Sequence, residues 1–218
     1  MTEKIKTIGV LTSGGDAPGM NAAIRAVVRS SAFYGKRVFG IYEGYQGLIE
    51  NNIKELTARS VKNILNRGGT VLKSSRSEEF RTKEGRQKAI ANLQSHGIDA
   101  LVLIGGDGTF TGGHIFSQEF DIPIIGIPGT IDNDLFGSDF TLGFDTATNV
   151  VIDCIDKIRD TAESHNRLFF VEVMGRDSGF IALRAGLASG ALDVILPEEK
   201  SPMADLLAEL EKGETNQK

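Results

Sequence analysis

The stretch Ala100-Leu101-Val102-Leu103-Ile104 runs directly into the glycine-rich turn Gly105-Gly106-Asp107-Gly108-Thr109. A continuous apolar run of this length is typical of a strand that is buried on both faces of a parallel sheet. A helical pattern follows to about residue 120, and a second apolar run occupies residues 122–128. The stretch therefore predicts a strand, a turn, a helix and a second strand, with the glycines at the carboxyl end of the first strand.

The same alternation of elements extends along the chain in both directions. Further strands are predicted at residues 7–12, 37–42, 168–173 and 193–196, and a turn at residues 44–47 closes the second of these. Further helices are predicted from Met20 onward and around residues 60–66, 82–96 and 145–162. Another follows the turn at residues 174–179 and ends at about residue 189, and the last lies at residues 203–210. This order predicts an open, doubly wound α/β fold with mostly parallel sheets and helices on both faces. A boundary near residue 139 predicts two domains, residues 1–138 and 139–218.

The composition is that of a soluble globular protein, with 40% hydrophobic residues and a net charge of −5. The apolar runs are far shorter than the roughly 18 residues of a membrane-spanning helix, so we expect no membrane span. The mild acidity argues against nucleic-acid binding, which requires a concentrated basic surface. The N-terminal residues have no apolar leader and the chain has one cysteine, which predicts a cytoplasmic protein.

The first glycine-rich turn, Ser13-Gly14-Gly15-Asp16-Ala17-Pro18-Gly19, follows part of the frame of a P-loop. However, Met20-Asn21 stands where a P-loop has Lys and Ser or Thr, so a P-loop nucleotide hydrolase is excluded. Two interpretations remain for this turn. It either holds a phosphate on its backbone N–H groups or simply connects the strand to the helix.

The second turn, Gly105-Gly106-Asp107-Gly108-Thr109, points more clearly to a ligand. Its glycines allow a phosphate to approach the backbone, and Asp107 can hold Mg²⁺, as a nucleoside triphosphate requires. The alternative is a solvated aspartate in a turn, which the three flanking glycines make the weaker option. A dinucleotide-binding fingerprint is not supported, because Thr111 stands at the place of its last glycine.

The segment Pro128-Gly129-Thr130-Ile131-Asp132-Asn133-Asp134 carries two carboxylates two residues apart. If the segment is extended, Asp132 and Asp134 project to the same side. One of them can accept a hydroxyl proton while the other orients a metal ion, as phosphoryl transfer to an alcohol requires. A turn rich in Asp and Asn is the structural alternative.

Phosphoryl transfer without a P-loop lysine requires other cations, and the planar guanidinium of arginine suits phosphate oxygens. Arg76, Arg167 and Arg176 are candidates, although a lone arginine is more often a surface residue. The three histidines have no metal-ligand spacing. Cys154 lies on an apolar helix face, which predicts a buried structural thiol.

Together and in this order, these segments resemble the bacterial ATP-dependent 6-phosphofructokinases. The resemblance runs through residues 9–25, Asn66-Arg67-Gly68-Gly69-Thr70, the second glycine-rich turn, residues 128–134 and Val171-Glu172-Val173-Met174-Gly175-Arg176. It implies a phosphofructokinase fold with an incomplete second domain, because members of the family continue well beyond Lys218. It also implies ATP and fructose 6-phosphate as substrates, Mg²⁺ as cofactor and a homotetramer in the full-length form.

The resemblance assigns roles to individual residues. It implies contacts with ATP for Gly15, Arg76, Ser77, Gly106, Asp107, Gly108 and Thr109. It implies Asp107 as a ligand of Mg²⁺, with Asp134 helping to place the metal. Asp132 would be the catalytic base at the 1-hydroxyl of the sugar, assisted by Arg176. Fructose 6-phosphate would contact Thr130, Ile131, Asp132, Met174, Gly175 and Arg176, and also Arg167 of a neighbouring subunit.

The resemblance also bears on regulation. Arg25, Arg29 and Arg159 match a subunit-interface site at which bacterial enzymes of this type bind ADP or phosphoenolpyruvate. The chain departs from that pattern at Ala58 and Leu192, which stand where the family has an arginine and a glutamate. This departure argues against regulation by ADP.

The leading functional hypothesis is therefore a glycolytic kinase that converts ATP and fructose 6-phosphate to ADP and fructose 1,6-bisphosphate. Two alternatives remain. The chain is a truncated module that is inactive or only binds nucleotide, because half of the sugar-phosphate clamp is absent. In the second alternative, the phosphoryl donor is pyrophosphate instead of ATP. Gly108 and Gly129 disfavour it, because the members of the family that use pyrophosphate typically carry bulkier or charged residues at these two positions.

Overall fold

The computed structural model describes residues 5–165, 167–199 and 207. The chain divides into two compact units, Met1–Thr130 and Ile131–Lys218. The elements of the first unit are β1 (Thr7–Ser13), α1 (Met20–Phe33), β2 (Arg37–Ile41), α2 (Gly44–Ile49), β3 (Ile53–Leu56), α3 (Lys83–Ser95), β4 (Ala100–Gly105), α4 (Asp107–Phe120) and β5 (Ile124–Thr130). The assignment of an ATP domain to residues 1–138 and a sugar-phosphate domain to residues 139–218 remains a prediction.

The strands of the first unit lie in the order β3-β2-β1-β4-β5. β1 pairs in parallel with β2 and β4, and β4 pairs in parallel with β5, whereas β3 is antiparallel to β2. Ser13 at the end of β1 lies opposite Gly105 at the end of β4, and Gly105 lies opposite Pro128 of β5. The carboxyl ends of three parallel strands therefore meet, and the predicted α/β class is confirmed.

The core of the first unit lies against β1 and β4. Leu11, Leu101 and Leu103 are fully buried, as is Phe116 on α4. Burying one such side chain stabilises the folded state by about 1.5–3 kcal/mol. The continuous apolar run of β4 is therefore explained by burial on both faces, which is what the sequence predicted.

The helices predicted from Met20 and around residues 82–96 are confirmed as α1 and α3. Met20, Ile24 and Val28 lie on one face of α1 and are buried. The hydroxyl of Thr82 accepts a hydrogen bond of 3.0 Å from the amide of Gly85 and so caps the start of α3. Gly97 follows α3 with a φ of 63°, the left-handed conformation that suits a helix C-terminus.

Two predictions in residues 44–66 are wrong. The turn predicted at residues 44–47 is the helix α2, whose glycines serve close packing, because a Cβ on Gly47 would lie only 1.6 Å from the Tyr42 carbonyl oxygen. The helix predicted at residues 60–66 is a series of turns. The strand β3 has no counterpart among the predicted elements, since its four residues show no clear alternation of buried and exposed positions.

The second unit contains β6 (Leu142–Gly143), α5 (Phe144–His165) and α6 (Phe180–Ser189). α5 packs on α6, with the rings of Phe144 and Phe180 in edge contact at 6.5 Å between centroids. The prediction of a buried thiol is wrong, because Cys154 is exposed. The buried residues of α5 in the described chain are Phe144 and Thr148, and Val150 is exposed like Cys154.

The strands predicted at residues 168–173 and 193–196 are wrong for the part of the chain that the structure describes. Neither segment joins a ladder there, and Leu168, Phe170 and Ile195 are exposed. Strand propensity alone does not form a strand, because its backbone requires a hydrogen-bonded neighbour. The helix predicted at 203–210 lies outside the described residues apart from Leu207. None of the described helices combines the length and hydropathy that crossing a membrane requires.

Candidate active site

The turn between β1 and α1 is open and formed by backbone. Gly14 and Gly19 have positive φ angles of 87° and 96°, which glycine adopts without strain. At Gly15, which is exposed, no atom beyond its chain neighbours lies within 4 Å of the place that a Cβ would take. The turn therefore leaves backbone N–H groups accessible to an anion.

Asn21 stands at the place where a P-loop carries Ser or Thr, and its side chain is used by the fold itself. Its amide nitrogen donates to the carbonyls of Arg67 at 2.9 Å and Gly68 at 3.2 Å. Its amide oxygen accepts from the N–H of Val71 at 2.7 Å. Asn21 is buried and fastens the loop at residues 67–71 to the start of α1.

Glycines at the ends of β4 and β5 let neighbouring elements approach closely. A Cβ on Gly105 would lie 2.5 Å from both the carbonyl oxygen of Ser13 and the Oγ1 of Thr109. A Cβ on Gly129 would lie 3.1 Å from the Cε of Met20. The carboxyl ends of these strands are therefore packed at a distance that side chains would not allow.

The helix α4 begins at Asp107, directly after this packed edge. Gly106 is its N-cap residue and has extended backbone. Its carbonyl accepts the first helical hydrogen bonds, from the amides of Thr109 at 3.0 Å and Phe110 at 3.2 Å. The amides of Asp107 and Gly108 precede these bonds, and the positive end of the helix dipole lies here. Both features favour the binding of phosphate.

The loop that carries Arg76 and Ser77 is anchored next to the first turn. The hydroxyl of Ser74 donates to the carbonyl of Gly14. The hydroxyl of Ser77 donates to the side-chain oxygen of Gln46 at 2.7 Å, whereas Arg76 is exposed. The structure therefore brings this loop to the glycine-rich edge of the first unit.

Asp107, at the start of α4, is a carboxylate whose surroundings fit a metal ion. Among the described residues, no three His, Cys, Asp or Glu side chains come together as a ready-made metal site. Mg²⁺ in nucleotide enzymes needs only one or two carboxylates, because water and substrate phosphates complete its shell. Asp107 is exposed, and the neighbouring Gly108 leaves open space beside it. These residues fit a magnesium ion that arrives with a polyphosphate.

The acid pair lies in the loop that follows β5. Asn133, between the two aspartates, has a left-handed φ of 51°, so the segment is not extended as we expected. The side chain of Asn133 explains this conformation. Its oxygen accepts from the N–H of Thr141 at 2.9 Å, and its nitrogen donates to the carbonyl of Asp139 at 3.2 Å. Asn is one of the few residues that adopt this backbone conformation readily.

The pKa of Asp132 nevertheless depends on the charged residues around it. Burial raises the pKa of the Asp132 carboxyl above its usual value, and the charge of Asp134 raises it further. The positive charge of Arg176 lowers this pKa and so opposes the other two effects. Asp132 therefore keeps its proton to a higher pH than an ordinary aspartate, which is the direction expected of a general base.

Arg176 lies in a strained turn that is bonded to the acid loop. Gly175 and Arg176 have φ angles of 154° and 57°, and the amide of Ser178 closes the turn onto the Gly175 carbonyl at 2.9 Å. The hydroxyl of Ser178 donates to the carbonyl of Asp132 at 2.8 Å. The Arg176 guanidinium is 84% exposed and lies 3.4 Å from the carboxylate of Asp177. The turn thus presents a guanidinium to solvent.

The remaining predicted substrate residues are dispersed along the chain. Thr130 is the last residue of β5 and of the first unit, and Ile131 is the first of the second unit. Arg167 and Met174 are exposed in the second unit. The structure therefore assigns the predicted ATP residues to the first unit, and Asp132, Asp134 and Arg176 to the second.

A separate cleft of about 380 Å³ in the first unit is lined by cations. Arg25 and Arg29 of α1 contribute to it, together with Arg59 and Lys62. Arg159, the third arginine of the predicted effector site, belongs to the second unit. Lys62 was not among the effector residues that the resemblance implied.

The family to which the chain belongs follows from comparison with known proteins. The family model described as Phosphofructokinase matches residues 7–218. The chain belongs to the phosphofructokinase family. The resemblance to the phosphofructokinases that the sequence indicated is confirmed.

Relatives within the phosphofructokinase family are similar over most of this chain. ATP-dependent 6-phosphofructokinase 2 of Bacteroides thetaiotaomicron is 59% identical over 96% of this chain and 64% of its own length. ATP-dependent 6-phosphofructokinase of Cytophaga hutchinsonii is 59% identical over 89% of this chain and 59% of its own length. The phosphofructokinase structure from Saccharomyces cerevisiae superposes with a TM-score of 0.92 at 41% identity, covering 96% of this chain and 32% of that one. The chain thus spans less than two thirds of the length of these relatives.

Three side chains near these turns had no role in the sequence-based prediction. Tyr45 contacts the start of α4, Asn133 fixes the acid loop and Ser178 joins that loop to the arginine turn. For Asn133 a signal was present, because Asn between two aspartates is a common residue for a left-handed position. Tyr45 and Ser178 act through contacts between residues far apart in sequence, which no local pattern reveals.

Proposed function

We propose that the protein is an ATP-dependent 6-phosphofructokinase, which transfers the γ-phosphoryl group of ATP to the 1-hydroxyl of fructose 6-phosphate. The products are ADP and fructose 1,6-bisphosphate, as in the committed step of glycolysis. The observation that carries the proposal is the Asp132 carboxyl, partly buried and within electrostatic reach of Asp134 and Arg176. The names of the relatives support the same reaction.

The first unit would bind the phosphoryl donor. The amides at the start of α4, together with Gly15 and the nearby Arg76 and Ser77, would hold the phosphates and the rest of ATP. Thr109 would contribute through the backbone, because its hydroxyl donates to the carbonyl of Ser13 at 3.1 Å. Backbone amides and a helix N-terminus suit a polyphosphate because they supply positive partial charge without a mobile side chain.

Asp107 would hold Mg²⁺, and Asp134 would help to place it. When bound, the ion neutralises charge that develops on the phosphates during transfer. The exposed carboxylate of Asp107 and the open space at Gly108 support this assignment. Water and phosphate oxygens would supply the other ligands.

The second unit would bind and activate the acceptor. Arg176 would hold the sugar phosphate with its exposed guanidinium, next to Met174 and Gly175, with Thr130 and Ile131 also at the sugar. Asp132 would accept the proton of the sugar's 1-hydroxyl while the oxygen of that hydroxyl forms a bond to the γ-phosphorus of ATP. The bond from that phosphorus to the bridging oxygen breaks, and its electron pair leaves with ADP. Arg167 would act in a neighbouring subunit of a homotetramer.

ATP is favoured over pyrophosphate as the donor. At Gly108 no neighbouring atom lies within 4 Å of the place of a Cβ, which leaves room for a nucleotide. Gly129 supports the choice less directly, because it is buried against Met20. An assay with pyrophosphate in place of ATP tests this choice.

The second candidate function is a module that binds nucleotide without turnover. The observation that favours it is that the glycine-rich turns and the start of α4, which suit a phosphate, all belong to the first unit, whereas Asp132 and Arg176 belong to the second. Calorimetry separates the two functions. Binding of MgATP without binding of fructose 6-phosphate supports the module, whereas turnover by the purified chain refutes it.

The cation-lined cleft would bind an anionic effector. Arg25 and Arg29 are the predicted effector residues there, and Arg59 and Lys62 add two positive charges. Arg159, the third residue predicted for the effector site, belongs to the second unit and does not line this cleft. Anion-induced changes in the kinetics, abolished by Arg29→Ala, would test this assignment.

The decisive test of the kinase is Asp132→Asn in a coupled assay for fructose 1,6-bisphosphate. We expect kcat to fall by about 10²–10⁴, because a positioned general base is lost. Asp139→Asn is the matched control, since it removes a carboxylate from the same loop without removing the base. Unchanged turnover of Asp132→Asn would refute the assignment.

A further inference from the structure

Thr109, in the first turn of α4, is held from two sides. Its hydroxyl donates to the carbonyl of Ser13 at the end of β1, at 3.1 Å. Its carbonyl accepts from the hydroxyl of Tyr45 in α2, at 2.6 Å. Both residues are buried, with 4% of Thr109 and 6% of Tyr45 exposed. The start of α4 is therefore tied to two other elements through one residue.

The ring of Tyr45 is itself fixed in place. It stacks on the ring of Phe80 with 3.9 Å between centroids and an angle of 11° between the planes. On the side of α4, a Cβ at Gly112 would lie 3.3 Å from the Tyr45 ring, and one at Gly113 would lie 3.3 Å from its hydroxyl oxygen. Glycines at these two positions allow the helix to lie directly against the tyrosine.

The hydroxyl of Tyr45 acts as a permanent donor. Burial raises the pKa of Tyr45 far above its usual value, so the hydroxyl keeps its proton throughout the physiological range. A buried donor of this kind is costly to leave unpaired, which favours the bond to Thr109. The position of the Thr109 carbonyl is therefore coupled to the packing of α2.

This coupling matters because the residues before Thr109 carry no buried side chain, and the Gly106 carbonyl is itself held by hydrogen bonds from the amides of Thr109 and Phe110. Gly106 and Gly108 have no side chains, and the side chain of Asp107 is exposed. Anion binding by backbone amides depends on their orientation, which a displacement of the first turn would change. Thr109 is the residue through which the fold fixes that orientation.

We propose that Tyr45 is a positioning residue for the polyphosphate of the donor, acting through Thr109 and without touching the nucleotide base. The inference rests on the proposed function, because it takes the start of α4 as the donor site. It extends that function to a side chain in another helix, far away in sequence.

The test is Tyr45→Phe, which removes the hydroxyl and keeps the ring. Binding of MgATP and of magnesium tripolyphosphate, which has no base, is measured by calorimetry on the purified chain. We expect both ligands to bind about threefold to tenfold more weakly, the range expected for loss of one buried hydrogen bond. Tyr42→Phe is the matched control and should bind both as the wild type does. Tyr42 packs beside Lys54, whose ammonium lies 5.2 Å from its ring centroid.

Each other outcome overturns the inference in a recognisable way. Equal binding by Tyr45→Phe and wild type contradicts it directly. Weaker binding of MgATP alone means that the hydroxyl acts at the base. A wild type that binds MgATP but not tripolyphosphate draws its affinity from the nucleoside, so the start of α4 is not the polyphosphate site that the inference requires. A wild type that binds neither ligand refutes the proposed donor site, and the inference falls with it.

A second variant covers the case in which Tyr45→Phe does not fold, as judged by circular dichroism. Gly112→Ala keeps the hydroxyl and adds a methyl group 3.3 Å from the Tyr45 ring. Ala also favours the helix over Gly by about 1 kcal/mol, so α4 should form. We expect a smaller loss of tripolyphosphate affinity, about twofold to threefold on the scale of a weakened hydrogen bond. Unchanged affinity in this variant would contradict the inference.

Discussion

The donor turn of the first unit and the arginine turn of the second are built in opposite ways. At the end of β4 the chain omits side chains, so that Gly105 can lie against the carbonyl of Ser13 and the hydroxyl of Thr109. At residues 175–178 the chain places Arg176 in a left-handed conformation that glycine would adopt more easily. The first turn is shaped by close packing, whereas the second accepts backbone strain in order to carry a charged side chain.

The largest effect is expected from adding a side chain to the packed turn. Gly105→Ala places a Cβ 2.5 Å from two oxygen atoms, one of them in the backbone of β1. We expect the free energy of unfolding of the first unit to fall by about 2–3 kcal/mol, at the upper end for overpacked sites. Urea denaturation followed by circular dichroism measures this change.

Gly108→Ala is the control for that substitution. It adds the same methyl group three residues later, where no neighbouring atom lies within 4 Å. Its effect on unfolding should stay within about 0.5 kcal/mol, as for exposed sites in general. Equal destabilisation by the two variants would contradict the contrast between packed and open glycines.

The opposite substitution tests the strained turn. Arg176→Gly removes the penalty of a left-handed residue, which is about 1–2 kcal/mol. We expect the second unit to unfold at higher urea, by about 1 kcal/mol in free energy, while affinity for fructose 6-phosphate falls. Arg176→Ala also removes the charge but keeps a Cβ, so it should lose affinity without gaining stability. A Gly variant no more stable than the Ala variant would show that the turn is not strained.

The smallest and most local effect concerns the pKa of Asp132. Asp134→Asn removes a neighbouring negative charge, so the pKa of Asp132 should fall and its carboxyl should lose its proton at lower pH. Arg176→Ala removes a positive charge and should shift the same pKa upward. NMR titration of the ¹³C-labelled Asp132 carboxyl measures both shifts without requiring turnover. Shifts in the same direction would contradict the arrangement of the three charges.

The sequence predicted well those elements whose signals are local. The apolar run of β4 and the helices α1 and α3 were each predicted from a short stretch of neighbouring residues. The first unit contains most of them, and its glycine-rich edge was predicted from strand ends alone. The helix α2 was missed because Gly44 and Gly47 look like turn residues, whereas they allow close packing.

The second unit was predicted less well, for a related reason. Residues 168–173 have the apolar character of a strand, but a strand depends on its neighbours, and none pairs with it in the described part of the chain. The acid pair was identified from residue type alone, whereas its backbone conformation depends on the contacts of Asn133 with Thr141 and Asp139. Sequence patterns thus identified which residues carry the chemistry more reliably than how they are held.

Asn21 shows that the glycine spacing of a P-loop can be present although the residue at its Ser or Thr position has a structural role. In a P-loop the equivalent residue would coordinate a metal, yet here its amide ties the loop at residues 67–71 to the start of α1. A substitution at this position is therefore expected to impair folding before it affects metal binding. Matching glycine spacing alone would misidentify such a residue, whereas following the bonds of a single amide identifies it as part of the scaffold.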